Sequence, residues 1–222
     1  SVTALRPVNG TSFNSTSTFE DFNATILDAR FTDDKNDSVI FVFDNASGTD
    51  FNVTAQNISG NWNYSYDVSS LAQGLHTMTI HANDTANNRN DTQTVQFYYD
   101  TTPPNVTTVT SSGQNFSARE QTFNATVNDL TLSVSTVRFG FDNGSGTSFN
   151  VTATNTSGNW NVSYDVSTLA EGSHVVTVYA NDTADSVNNT QTFTFDTDFT
   201  VPNVSSATVS SISSEGGLLQ ID

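Results

Sequence analysis

Asparagine with a serine or threonine two residues further on is the acceptor triplet for N-linked sugar, and no other chemical motif recurs so often in this chain. It occurs 20 times in 222 residues, at Asn9, Asn14, Asn23, Asn36, Asn45, Asn52, Asn57, Asn63, Asn83, Asn90, Asn105, Asn115, Asn124, Asn143, Asn150, Asn155, Asn161, Asn181, Asn188 and Asn203. Independent placement of 26 asparagines and 63 serines plus threonines would give about seven. Composition therefore does not account for the motif. The chemistry needs the amide and the hydroxyl on one side of the backbone. In an extended chain residues i and i+2 share a face, so Phe51-Asn52-Val53-Thr54 sends Phe51 and Val53 one way and Asn52 and Thr54 the other. Phe22-Asn23-Ala24-Thr25 and Phe123-Asn124-Ala125-Thr126 repeat the arrangement. This spacing predicts outward-facing acceptors and dense glycosylation by covalent N-linked glycans.

Other chemistries are weaker. Asp84, Asp100, Asp182 and Asp198 fall at expected strand ends or joints, where hard carboxylate oxygens could gather around Ca2+. No D-x-D-x-D-G loop is present, so solvated surface carboxylates and a junction calcium both stand as readings of these four. His76 and His174 follow the same L-A-x-G turn and read as structural, hydrogen-bonding histidines, since no nucleophile motif of the form G-x-S-x-G accompanies them. His81 has Tyr179 at the equivalent place, which leaves no histidine cluster for a metal. Glutamate is confined to Glu20, Glu120, Glu171 and Glu215, with no recurring pair for glycoside hydrolysis, and cysteine is absent. No catalytic residue is expected.

The charge balance excludes further classes. With 23 acidic and 6 basic residues the formal charge is −17, and Lys35 is the one lysine, so no basic face exists for a phosphate backbone or anionic lipid. Nucleic acid is not an expected partner. No stretch of some 18 apolar residues could span a membrane.

These residues must be carried by strands. Threonine, serine, asparagine, phenylalanine and valine dominate, and 24 aromatic residues recur at alternating positions, which marks packed strands and not disorder. Trp62, Tyr64, Tyr66 and Val68 fall on one side of such a strand and Asn63, Ser65 and Asp67 on the other. The chain also repeats itself. Phe41 to Pro104 aligns with Phe139 to Pro202 at a constant offset of 98 without a gap, and Asn14 and Asn23 match Asn115 and Asn124 at an offset of 101. Three extra residues between Asp28 and Val39 account for the change of offset and read as a loop. Each copy, about 100 residues with about seven short strands, has the rhythm of an immunoglobulin-like sandwich. The expected class is all-β: two tandem Ig-like β-sandwich domains, 1–100 and 101–202, and a C-terminal strand extension, 203–222, which reads either as an inter-subunit strand or as the start of a third module.

The phrases LAQGLHTMTIHANDTANN (71–88), LAEGSHVVTVYANDTADS (169–186) and YDTTPPNV (99–106) resemble the tandem Ig-like modules of archaeal and some bacterial cell-surface glycoproteins, of the surface-filament, S-layer or adhesin type. The resemblance implies an extracellular, non-enzymatic role, structural or adhesive. Within it the expected function is a heavily N-glycosylated subunit of a filament or surface layer, its copies joined head to tail by a strand from residues 203–222. The alternatives are a spacer in the stalk of an adhesin and an accessory module of a surface hydrolase.

Overall fold

The computed structural model describes residues 1–14, 19–28, 38–44, 50–144 and 148–205. Among the described residues, nine strands form the first module: β1 (Val2–Arg6), β2 (Thr11–Phe13), β3 (Phe19–Ile26), β4 (Ser38–Phe43), β5 (Phe51–Thr54), β6 (Gln56–Ile58), β7 (Asn61–Asp67), β8 (Gly74–Asn83) and β9 (Arg89–Tyr99). The second repeats them as β10 (Asn105–Thr108), β11 (Gln114–Phe116), β12 (Glu120–Asn128), β13 (Val134–Asp142), β14 (Ser148–Thr152), β15 (Thr154–Thr156), β16 (Asn159–Asp165), β17 (Gly172–Asp182) and β18 (Val187–Thr197). Each module stacks a four-stranded sheet, β1-β3-β7-β6 or β10-β12-β16-β15, on a five-stranded one, β2-β9-β8-β4-β5 or β11-β18-β17-β13-β14. Among the described residues no helix is long and apolar enough to cross a membrane.

The count of nine exceeds the expected seven because two stretches change sheets. The first strand divides, and its second part, β2 or β11, pairs parallel to β9 or β18 on the opposite sheet. The stretch after β4 divides at Ala55, and its counterpart at Ala153; both alanines are buried where the chain crosses between layers. The three extra residues before Val39 lie outside the described residues, as does 206–222.

Alternation sorts the side chains. Along β4 and β8 every second residue is buried, which puts Val39, Phe41 and Phe43 against Met78, Ile80 and Ala82. Phe22 meets Phe43 edge to face at 4.8 Å between centroids, and Phe123 meets Phe141 at 5.2 Å in the second core. The two cores are separate clusters, one within residues 22–99 and one within 106–195.

His76 and His174 are wholly buried or nearly so, and each knots a loop to its hairpin. Nε2 of His76 lies 2.6 Å from the Ala72 carbonyl and its Nδ1 3.1 Å from Asp44; His174 makes the same contacts with Ala170 and Asp142. Burial opposes ionisation of Asp142, but the Val175 N–H, the His174 ring and the Gly144 N–H outweigh it and hold the carboxyl below the usual range.

Trp62 and Trp160 are equivalent core residues, 7% and 8% exposed. Replacing either by alanine is expected to cost about 3–5 kcal/mol through lost burial and an unfilled cavity. Chemical denaturation checks this, and an unchanged midpoint would mean that the ring does not support its core.

Candidate cation site between the two sandwiches

Asp100 ends the first module and opens the joint Asp100-Thr101-Thr102-Pro103-Pro104 that leads into β10. Its N–H donates to the Phe13 carbonyl, and its Oδ1 accepts the Thr102 N–H at 2.9 Å. Asp182 ends β17. Its Oδ1 accepts the N–H groups of Ala184 at 2.7 Å and Ser186 at 3.0 Å and so folds the turn into β18. Asp129 follows β12, and its Oδ1 accepts those of Thr131 and Leu132 at 2.8 and 2.7 Å. In all three the side chain closes a local turn, the ordinary use of aspartate at a strand end.

What is not ordinary is that the three turns meet. One carboxylate oxygen from each of Asp100, Asp129 and Asp182 lies within 4.8 Å of the other two. Asp100 and Asp182 are 0% exposed, and among the described residues the buried Oδ2 of each has no hydrogen-bond partner. Burial, and after it the neighbouring charges of Asp129 and Asp182, push the Asp100 carboxyl above its ordinary value, more than the Thr102 N–H lowers it. Unpaired buried carboxylate is costly. Two oxygens bound to one calcium at 2.3–2.6 Å stand no more than about 5 Å apart, so this donor set fits a hard divalent cation. Clefts of about 550 and 200 Å³, both bordered by Asp129 and each lined by residues of the two modules, lie along the seam.

Of the four aspartates singled out in the sequence, the fold brings together two. Asp84 stands at the far end of the first module, where Ala86, Asn88 and the Asn88 side chain hydrogen-bond it. Asp198 is exposed at the end of the second, its Oδ1 accepting the Thr200 N–H. Asp129 escaped notice, although its match to Asp28 at the repeat offset of 101 was a usable signal.

The acceptor asparagines lie elsewhere. Asn36 and Asn45 fall outside the described residues, and none of the other 18 is buried. Asn52, Asn57, Asn105, Asn115, Asn150 and Asn155 all sit on strands at sheet edges. Asn188 has a second task, since its amide donates to the Pro104 carbonyl across the joint at 2.9 Å.

Residues 60–139 and 158–221 match the bacterial Ig-like domain (group 3). The chain belongs to that family. Each matched stretch starts at the glycine before β7 or β16 and runs across a module end, so the family unit is out of phase with the sandwich by half a module. No curated protein sequence matches this Ig-like chain significantly. Among solved structures it is similar to the fibronectin(III)-like modules of Clostridium thermocellum CbhA, at 17% identity over 89% of this chain and 94% of that one, TM-score 0.49. A Ca2+-stabilised, ice-binding adhesin of an Antarctic bacterium aligns at 17% identity, over 89% of this chain and 48% of that one, TM-score 0.44. The D00-D0 domain of intimin aligns at 17% over 87% and 98%, TM-score 0.40.

Because the fold raises the Asp100 carboxyl's affinity for its proton, its ionisation at neutral pH costs stability, and the cost fades as pH falls through its titration. Asp100→Asn is therefore expected to raise the melting temperature in chelator at neutral pH, since the amide brings a donor to the unpartnered oxygens. Calorimetry checks it; a lowered midpoint would mean that the ionised carboxyl is satisfied.

Proposed function

We propose that this chain is a length of stalk on a cell-surface glycoprotein, in which Ig-like modules 1–100 and 101–202 are joined in series as spacers and the surface is coated by N-linked sugar. Its role is mechanical and adhesive, not enzymatic. The observation that carries the reading is the pairing of two same-family modules through a short joint with 18 acceptor asparagines, none of which is buried. An acceptor triplet is useful only outside the cytoplasm and only where the amide reaches solvent. Calcium at the joint, held by Asp100, Asp129 and Asp182, would tie the end of one module to two loops of the next and limit their bending.

The filament reading, with residues 203–222 donated to a neighbouring copy, competes at one point. The same family match that covers 60–139 continues from 158 through 221, which favours residues 203–222 as the opening of a third module. The glycosylated chain is then expected to sediment as an elongated monomer. Polymers that vanish when residues 203–222 are deleted would replace the stalk with a head-to-tail filament. Peptide mapping of native material before and after deglycosylation is expected to find most of the 20 acceptors occupied. Occupancy of only a few would remove the surface-coat argument.

A further inference from the structure

The internal repeat supplies its own comparison for the joint. The turn that Asp182 closes in the second module has a counterpart in the first, closed by Asp84, with Asn87 and Asp185 both in the left-handed region at φ 62° and 65°. In both turns Oδ1 accepts two backbone N–H groups, from Ala86 and Asn88 at 2.9 and 2.8 Å or from Ala184 and Ser186 at 2.7 and 3.0 Å. The outer oxygens differ. Oδ2 of Asp84 accepts the side-chain amide of Asn88 at 2.8 Å. Oδ2 of Asp182 has no partner, because position 186 is serine and its hydroxyl faces the Asp100 carbonyl, 3.5 Å away. One residue later, Arg89 stands where the second module has Val187, and it lines a single cleft of about 120 Å³ with Asp28 and Asp84.

We infer that the residue at this turn position decides whether a module end takes a divalent cation: Ser186 leaves the inner joint open for calcium, whereas Asn88, with Arg89 beside it, supplies the first module's end with its own donors. The inference rests on the calcium reading of the joint and adds its stoichiometry and its determinant. An asparagine amide brings partial positive charge and an N–H to the carboxylate oxygen that a calcium ion would otherwise coordinate, so the two are alternatives at one place. The Ser186 hydroxyl is turned to the Asp100 carbonyl instead. The chain should therefore bind one calcium, at Asp100, Asp129 and Asp182, and none at Asp28 and Asp84, where in addition no third carboxylate joins the pair among the described residues, so the Ser186 variants carry the test of the determinant.

Titration calorimetry of the full chain with calcium chloride tests this, with thermal unfolding of each variant in chelator as the control for folding. The wild type is expected to bind one equivalent. Ser186→Asn is expected to lose affinity by about tenfold or more, while melting in chelator no lower than the wild type. Ser186→Ala, which removes the hydroxyl without adding an amide, is expected to keep the affinity. Two equivalents in the wild type would overturn the inference. So would a Ser186→Asn chain that folds and binds as the wild type does, or loss of binding in Ser186→Ala, which would make the serine a ligand and not a gate. No binding by the wild type would instead overturn the calcium reading itself.

Discussion

Alternation of the backbone in two stacked sheets is the constraint on which this molecule depends. With no cysteine and 35% hydrophobic residues, cohesion must come from aromatic and branched side chains placed at every second position. Phe22, Phe41, Phe43 and Phe97 meet in one core and Phe123, Phe139, Phe141 and Phe195 in the other, all without exposure. Because the inward positions are committed, the outward ones are free to carry asparagine and threonine. The polar face follows from the apolar one.

That division has a consequence at the sheet edges. An edge strand presents unpaired N–H and C=O groups that invite pairing with other chains. Acceptor triplets stand on β5, β11 and β14, and on the short β6, β10 and β15 that end the four-stranded sheets. On the proposed reading, sugar at these asparagines covers edges that otherwise have few charged residues to protect them. The same strands keep their inner partners, Phe51 and Phe149 among them, packed on the cores.

The joint follows a different logic. Each of its aspartates spends Oδ1 on its own turn, and in Asp100 and Asp182 this leaves Oδ2 buried and unbonded, so local folding and module docking can use separate atoms of one side chain. Gln73 holds Thr101 and Thr102 from the first module, and Asn188 holds Pro104 from the second. These bonds bring negative groups together that would repel in the open. On the proposed reading, a cation within the seam would offset that repulsion.

The strand faces, the repeat and the separation of core from surface were legible in the sequence, because period-2 patterning is a local rule that connects residues two apart. Trp62 beside Asn63 and Trp160 beside Asn161 could be assigned to opposite faces without a structure. The sheet changes at Ala55 and Ala153 were not legible, since a single alanine between two extended runs looks like continuous strand. The aspartates divide in the same way. Asp84, Asp100, Asp182 and Asp198 shared one local description, yet two of them lie at opposite ends of the described chain and two converge with Asp129. Sequence patterning placed Asp84, Asp100, Asp182 and Asp198 at strand ends or near the joints. Which turns then met was decided by how one sandwich docks on the next, and no periodicity along the chain records a contact made through space between three separate loops.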